Sequence, residues 1–229
     1  MAVCDGSFNP TLDSHLVSAG WVIEIGDTRQ KVQGWAATKG ISADPYRGEL
    51  LGIYTIMLAI KYIEFNTDME MQGTIDIYCD NEKAVYMSGT GKGKVNAHRK
   101  HMDLLKSIRR IKVLLKTNMR LHHVYGHQDD LRIDTRSLPR QAQLNIEMDQ
   151  LAKYGLSTAY EHNSAHINFV FPTEAWTVSI GGVKLHDGFQ YHLKNWIGQD
   201  RLRDYLFDKN ILAWNVFPLI TFTPLEKHL

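Results

Sequence analysis

The sequence predicts an α/β fold: a mixed sheet with helices on both faces, followed by a small C-terminal α+β extension. Three observations predict it. Three strand-like stretches open the chain with no helix between them. Strand and helix patterns then alternate as far as Tyr160. From Glu161 the texture shifts to short, glycine-punctuated segments. A meander that leads into alternating strands and helices calls for an antiparallel half and a parallel half in one sheet.

The elements follow in order. Val3–Phe8 is a short strand carrying Asp5. Ala19–Ile25 and Lys31–Thr38 alternate in the strand manner across a Gly26-Asp27 turn. Tyr46–Glu64 places Leu50, Ile53, Tyr54, Met57, Leu58 and Ile60 at helical spacing, with Pro45 at a suitable first position. Thr74–Tyr78 is a strand running into Asp80, and Asn81–Ser88 is a short helix. Gly89–Gly93 reads as a loop, Ala97–Lys116 as a long basic helix and Arg120–Tyr125 as a strand. A polar loop, Gly126–Arg140, leads to a helix over Gln141–Tyr160. In the extension, Val178–Leu185 reads as a hairpin turning at Gly181-Gly182. Leu193–Lys209 reads as a helix, and the apolar Pro218–Leu229 as ending in the first turn of another. These patterns divide the chain into a domain over 1–160 and an extension over 161–229. The early first strand and the abrupt end suggest a piece cut from something longer.

Composition narrows the class. A content of 44% hydrophobic and 22% charged residues suits a folded domain that needs no staples. Cys4 and Cys79 are too few for a disulfide framework, so buried, reduced thiols and an intracellular setting (cytoplasmic or nuclear) are expected. Both thiols precede a carboxylate. Alternation along a strand points them away from it. No signal pattern precedes the first strand, and no stretch approaches the roughly 20 apolar residues of a membrane span, so no membrane partner is expected. The net charge of +1 hides an uneven distribution. Residues 81–120 hold 11 Lys/Arg against 2 Asp/Glu. Such a basic segment, with Lys92, Lys94, Arg99 and Lys100, is the electrostatic footprint of a nucleic-acid contact.

Four acids stand at informative places: Asp5 in the first strand, Glu49 in the first turn of the first long helix, Asp80 at a strand end, and Asp149 in the last helix of the domain. Ligands of open α/β sheets gather outside the carboxyl ends of strands, where Asp80 lies. Carboxylates brought together bind hard divalent cations, and two such ions about 4 Å apart suit phosphodiester cleavage. His127 follows the last strand of the domain. There an imidazole can move protons near neutral pH.

Together these residues resemble the ribonuclease H family over about residues 1–160. Asp5-Gly6-Ser7, with Gly20 in the next strand, is similar to the family's opening Asp-Gly-Ser strand and its glycine-containing second strand. Arg47-Gly48-Glu49-Leu50 resembles its glutamate-bearing helix, and Ile77-Tyr78-Cys79-Asp80-Asn81 its strand ending in the second aspartate. His123-Val124-Tyr125-Gly126-His127 is similar to its Val-x-Gly-His loop. Asn145-Ile146-Glu147-Met148-Asp149-Gln150-Leu151-Ala152 resembles its Asn-x-x-x-Asp-x-Leu-Ala helix. The resemblance implies a ribonuclease H-like mixed five-stranded sheet and cleavage of the RNA strand of RNA-DNA hybrids. It implies two Mg²⁺ or Mn²⁺ ions held by Asp5, Glu49, Asp80 and Asp149, with His127 aiding proton transfer or product release. Ser7, Asn81, Asn145 and the basic residues Lys92, Lys94, Arg99 and Lys100 would serve the nucleic acid. The DNA strand would lie along the basic helix, where phosphate contacts position a duplex.

The chain departs from the family's pattern in three places. Twenty-one residues separate His127 from Asp149, Asp129 stands where a glycine is usual, and Asp44-Pro45-Tyr46 lacks the asparagine pair of some relatives. The extension has the texture of tails in retroelement polyproteins, which implies a reverse transcriptase as a partner in the same polyprotein. Trp176, Trp196 and Trp214 are expected as core anchors of a small subdomain. His162, His166, His186 and His192 are expected at the surface. The alternatives are a transposase- or integrase-type nuclease of the same fold, and a catalytically inactive tether domain. A glutamate on the early helix with an aspartate on the late one favours ribonuclease H over the first. Retention of all four acids argues against the second.

Overall fold

A computed structural model describes residues 1–66, 73–89, 99–126, 128, 134–162, 171, 176–180, 183–186, 188, 191–192, 195, 198 and 221–224. The main sheet has five strands: β1 (Ala2–Phe8), β2 (Leu16–Ile25), β3 (Gln30–Lys39), β4 (Thr74–Cys79) and β5 (Asn118–His123). Their order is β3-β2-β1-β4-β5. The pairs β1–β2 and β2–β3 are antiparallel, and β1–β4 and β4–β5 are parallel. This is the expected ribonuclease H-like mixed sheet, with β1 at its centre.

Two long helices take opposite faces. The first, α1 (Pro45–Asn66), opens with Asp44, whose Oδ1 accepts from the Arg47 backbone N–H at 2.9 Å, and with Pro45 in the first helical position. Its Leu50, Ile53, Met57 and Ile60 join Cys4, Ala19 and Ile77 in the larger core cluster. Burying each such side chain contributes about 1.5–3 kcal/mol. On the same face lie α2 (Glu82–Gly89), capped by Asn81 Oδ1 at 3.0 Å from the Ala84 N–H, and α3 (Met102–Leu114). The expected basic helix is therefore shorter than Ala97–Lys116 at both ends, because His101 has a left-handed backbone and Leu115 an extended one. The helix α4 (Arg140–Glu161) covers the other face, where Leu144 and Met148 meet Val3 and Val22. It is pinned to β2 twice. Ser18 Oγ donates to the Ala152 carbonyl, and the Arg140 guanidinium clasps the buried Glu24 carboxylate.

The extension forms a second sheet of order β7-β6-β8, with β6 (Trp176–Ile180), β7 (Val183–Leu185) and β8 (Thr221–Pro224). The expected hairpin is present as β6–β7. Within the apolar Pro218–Leu229 stretch, β8 pairs antiparallel with β6, and the helical turn expected at the end of that stretch falls on residues outside those described. Strand pairing answers the unpaired backbone groups of β6, a partner that local periodicity cannot reveal. His186 is a second correction. It is fully buried, with its ring 4.8 Å from that of His101. Trp196, Trp214 and His166, the Leu193–Lys209 helix and most of the Gly89–Gly93 loop fall on residues outside those described, apart from a few isolated positions. Among the described residues no helix is long and apolar enough to cross a membrane.

Sheet and helix pack tightly at Gly20, where an added Cβ would collide with the Met148 backbone carbonyl and reach 3.0 Å from Ala152 N. Backbone cannot rotate aside. Gly20→Ala should therefore destabilise the protein by about 1–3 kcal/mol, the usual range for overpacking, read as a lower urea midpoint with unchanged slope.

Candidate functional site

Asp5 lies on the central strand and points to the α4 face, 6% exposed. Its Oδ2 accepts from Asn145 Nδ2 at 2.9 Å. Glu49 reaches the same strand from the α1 side. Its Oε1 accepts from the Gly6 N–H at 2.9 Å. The approach requires glycine at position 6, since a Cβ there would stand 2.6 Å from the Glu49 backbone N and 2.8 Å from Oε1. Asp80 follows β4 directly, and the parallel pairing of β1 with β4 sets it beside Asp5. The His123 ring donates to the Asp80 carbonyl at 2.9 Å, and an added Cβ at Gly126 would collide with Asp80 Oδ2. Asp149 comes from α4, with Lys153 one turn later donating to Oδ2 at 2.7 Å.

The electrostatics tie the four acids together. Burial pushes the Asp5 carboxyl up to about 8, and the charges of Asp80 and Asp149 add to the rise. Burial also lifts Glu49 well above the ordinary carboxylate range, and the charges of Asp5 and Asp80 add to the rise. Like charges held this close resist joint ionisation.

Cys79 corrects one expectation. It does point to the helix-covered face, but Glu49 enters from that face, and Cys79 Sγ lies 3.3 Å from Glu49 Oε2. Ligand atoms of Glu49, Cys79 and Asp80 all fall within 4.8 Å of one another. The Cys4 hydrogen bond, with burial, raises the Cys79 thiol far above its usual value, so Cys79 stays protonated and donates to the carboxylate. Both cysteines are free and buried, as expected. The donor set is then oxygen-rich, which suits a hard divalent cation. Asn145 Oδ1 adds a buried oxygen without a hydrogen-bond partner among the described residues. The residues fit such ions.

The other expected residues are placed differently. Asn145 is 2% exposed and holds Asp5 from within, so it offers no face to a duplex. Asn81 caps α2. Ser7 lies half-buried on β1, at the register position of Ser18. Arg99 is exposed with Nη1 3.2 Å from Met87 Sδ, and Lys100 pairs with Asp44 at 2.6 Å. His127, Lys92 and Lys94 lie outside the described residues. Sequence reasoning missed Lys153, although its spacing of four from Asp149 was a readable signal. It also missed Arg47, whose guanidinium grips the buried Asp103 through two hydrogen bonds of 3.0 and 2.9 Å. No local pattern pairs residues 56 positions apart.

No family model and no curated protein matches the chain. Solved structures do resemble it. RNase H1 from the halophilic archaeon Halobacterium salinarum is 22% identical, covering 69% of this chain and 97% of that one, at a TM-score of 0.45. LC11-RNase H1 in complex with an RNA/DNA hybrid is 15% identical over 69% and 96%, at 0.46. The foamy viral protease-reverse transcriptase in complex with an RNA/DNA hybrid is 16% identical over 69% of this chain, at 0.49. The chain spans only 20% of that last protein.

The raised Asp5 carboxyl has a signed consequence. Folding favours its protonated form, so its contribution to stability is fullest below pH about 4 and is lost as pH rises towards about 8. Asp5→Asn in metal-free buffer should therefore match the parent near pH 4 and exceed it increasingly up to pH 8. A gain of about 1–3 kcal/mol in urea unfolding is expected there.

Proposed function

We propose that the chain hydrolyses the RNA strand of RNA·DNA hybrids, with Asp5, Glu49, Asp80 and Asp149 as ligands of two Mg²⁺ or Mn²⁺ ions. One observation carries the reading. Carboxylates from four distant stretches of chain are linked through Asp5, which feels the charges of Asp80 and Asp149 and acts with Asp80 on Glu49, and burial with this repulsion raises Asp5 and Glu49 together. A fold tolerates such crowding at functional sites far more often than elsewhere. When bound, the ions supply the positive charge that lets these acids ionise jointly and the Lewis acidity that activates a phosphodiester.

The chain's own groups orient the ligands. The Gly6 N–H and the Cys79 thiol hold the two Glu49 oxygens, Asn145 holds Asp5, and Lys153 holds Asp149. His123 fixes the backbone at Asp80. His127 takes the proton-transfer role on the strength of its Val-x-Gly-His motif. Residues 1–160 form the catalytic unit of this proposal, with the basic side chains of Arg99 and Lys100 beside a bound duplex. A reverse transcriptase in the same polyprotein belongs to the same proposal.

Incubation with labelled RNA·DNA hybrid, duplex RNA and duplex DNA in Mg²⁺ tests the reading. Cleavage of the hybrid's RNA strand is expected. Cleavage of DNA alone would instead favour a transposase-type nuclease, and the absence of Mg²⁺ or Mn²⁺ binding in calorimetry would favour a tether. Asp80→Asn should lower hybrid cleavage by about two orders of magnitude or more while leaving the unfolding midpoint no lower than the parent's.

A further inference from the structure

We propose that the extension acts on the catalytic unit as an intramolecular brace, with Lys184 as a positioning residue for Glu49. The segment carrying Phe171, Lys184 and His186 is built into the base of α1 and α3. Phe171 is fully buried and meets Tyr54 of α1 edge-on, ring centroids 4.9 Å apart. The Ile41 N–H, in the approach to α1, donates to the Lys184 carbonyl at 2.9 Å. His186 Nδ1 lies 3.2 Å from Nδ1 of His101, whose Nε2 reaches Asp44, the cap of α1, at 2.6 Å.

The centre of the brace is a buried knot of charge. Lys184 Nζ lies 3.1 Å from Asp103 Oδ2, the oxygen that Arg47 Nη2 also holds at 2.9 Å. All three side chains are at most 4% exposed. Burial would raise the Asp103 carboxyl, but Arg47 and Lys184 outweigh it and hold the group far below its usual range. Two cations on one buried carboxylate make a costly arrangement for a mere packing surface. The ammonium also sits 4.2 Å from the Phe171 ring centroid, which offsets part of its desolvation. Arg47 stands two residues before Glu49 in the first turn of α1. Whatever holds Asp103 therefore holds the backbone that aims Glu49 at the Gly6 N–H.

The positioning role rests on the metal-ligand reading above, so the test separates the two. Hydrogen exchange over residues 46–50 in the full chain reads the brace without any metal. Mn²⁺ calorimetry reads the positioning. In Lys184→Met, exchange over 46–50 should accelerate at least ~10-fold, and the Mn²⁺ dissociation constant should rise about 10-fold, in the range seen when partners of metal ligands are removed. Lys184→Arg should restore most of both. Unchanged exchange in Lys184→Met would overturn the brace. Faster exchange with unchanged Mn²⁺ affinity would overturn the positioning role. A parent chain that binds no Mn²⁺ would remove the positioning role together with the metal-ligand reading, and the brace would still be decided by exchange.

Discussion

The whole arrangement depends on how closely two helices approach the central strand pair from opposite faces. Asp5 stands on β1 with α1 on one side and α4 on the other. Gly6 lets the first turn of α1 come within hydrogen-bonding distance of the strand, and Gly20 lets the α4 backbone settle on β2. A side chain at either place would meet backbone, which has no rotamer to yield. The helix would then move outward, taking Glu49 or Asp149 with it.

Closeness brings repulsion, and the fold answers it locally and at a distance. At the site, neutral or cationic groups satisfy carboxylate oxygens: the Asn145 amide, the Gly6 N–H, the Cys79 thiol and the Lys153 ammonium. Farther out, ion pairs on buried carboxylates fasten the elements that carry the acids. Arg140 and Glu24 anchor the start of α4, and Arg47 and Asp103 anchor the start of α1. Loss of Arg140 would leave the buried Glu24 carboxylate without that partner, and loss of Asp103 would leave Arg47 and Lys184 buried without the carboxylate they share. The strain of crowded carboxylates is thus held between two clamped helix starts.

Much of this was legible in the order of residues. Strand alternation and helical spacing located nearly every element of the main sheet, because those periods follow from backbone geometry alone. The five motifs placed the acids on the right element types. What escaped was long-range. Alternation correctly sent Cys79 to the helix-covered face, yet nothing local showed that Glu49 would arrive there. His186 was expected at the surface, yet it is fully buried against His101, 85 positions away. The strand within Pro218–Leu229 was equally hidden, because its partner β6 lies about 45 positions earlier and no local period shows that pairing.

By itself the sequence determined the mixed α/β architecture, the four acids and the basic segment, since each is written in local period, residue type or motif. Only the tertiary structure decided which groups satisfy those acids, how α1 is fastened, and that the extension enters the main core through Phe171 and Lys184. The reason is physical. Secondary structure answers to neighbours a few residues away, whereas burial and charge pairing answer to whatever the folded chain brings alongside.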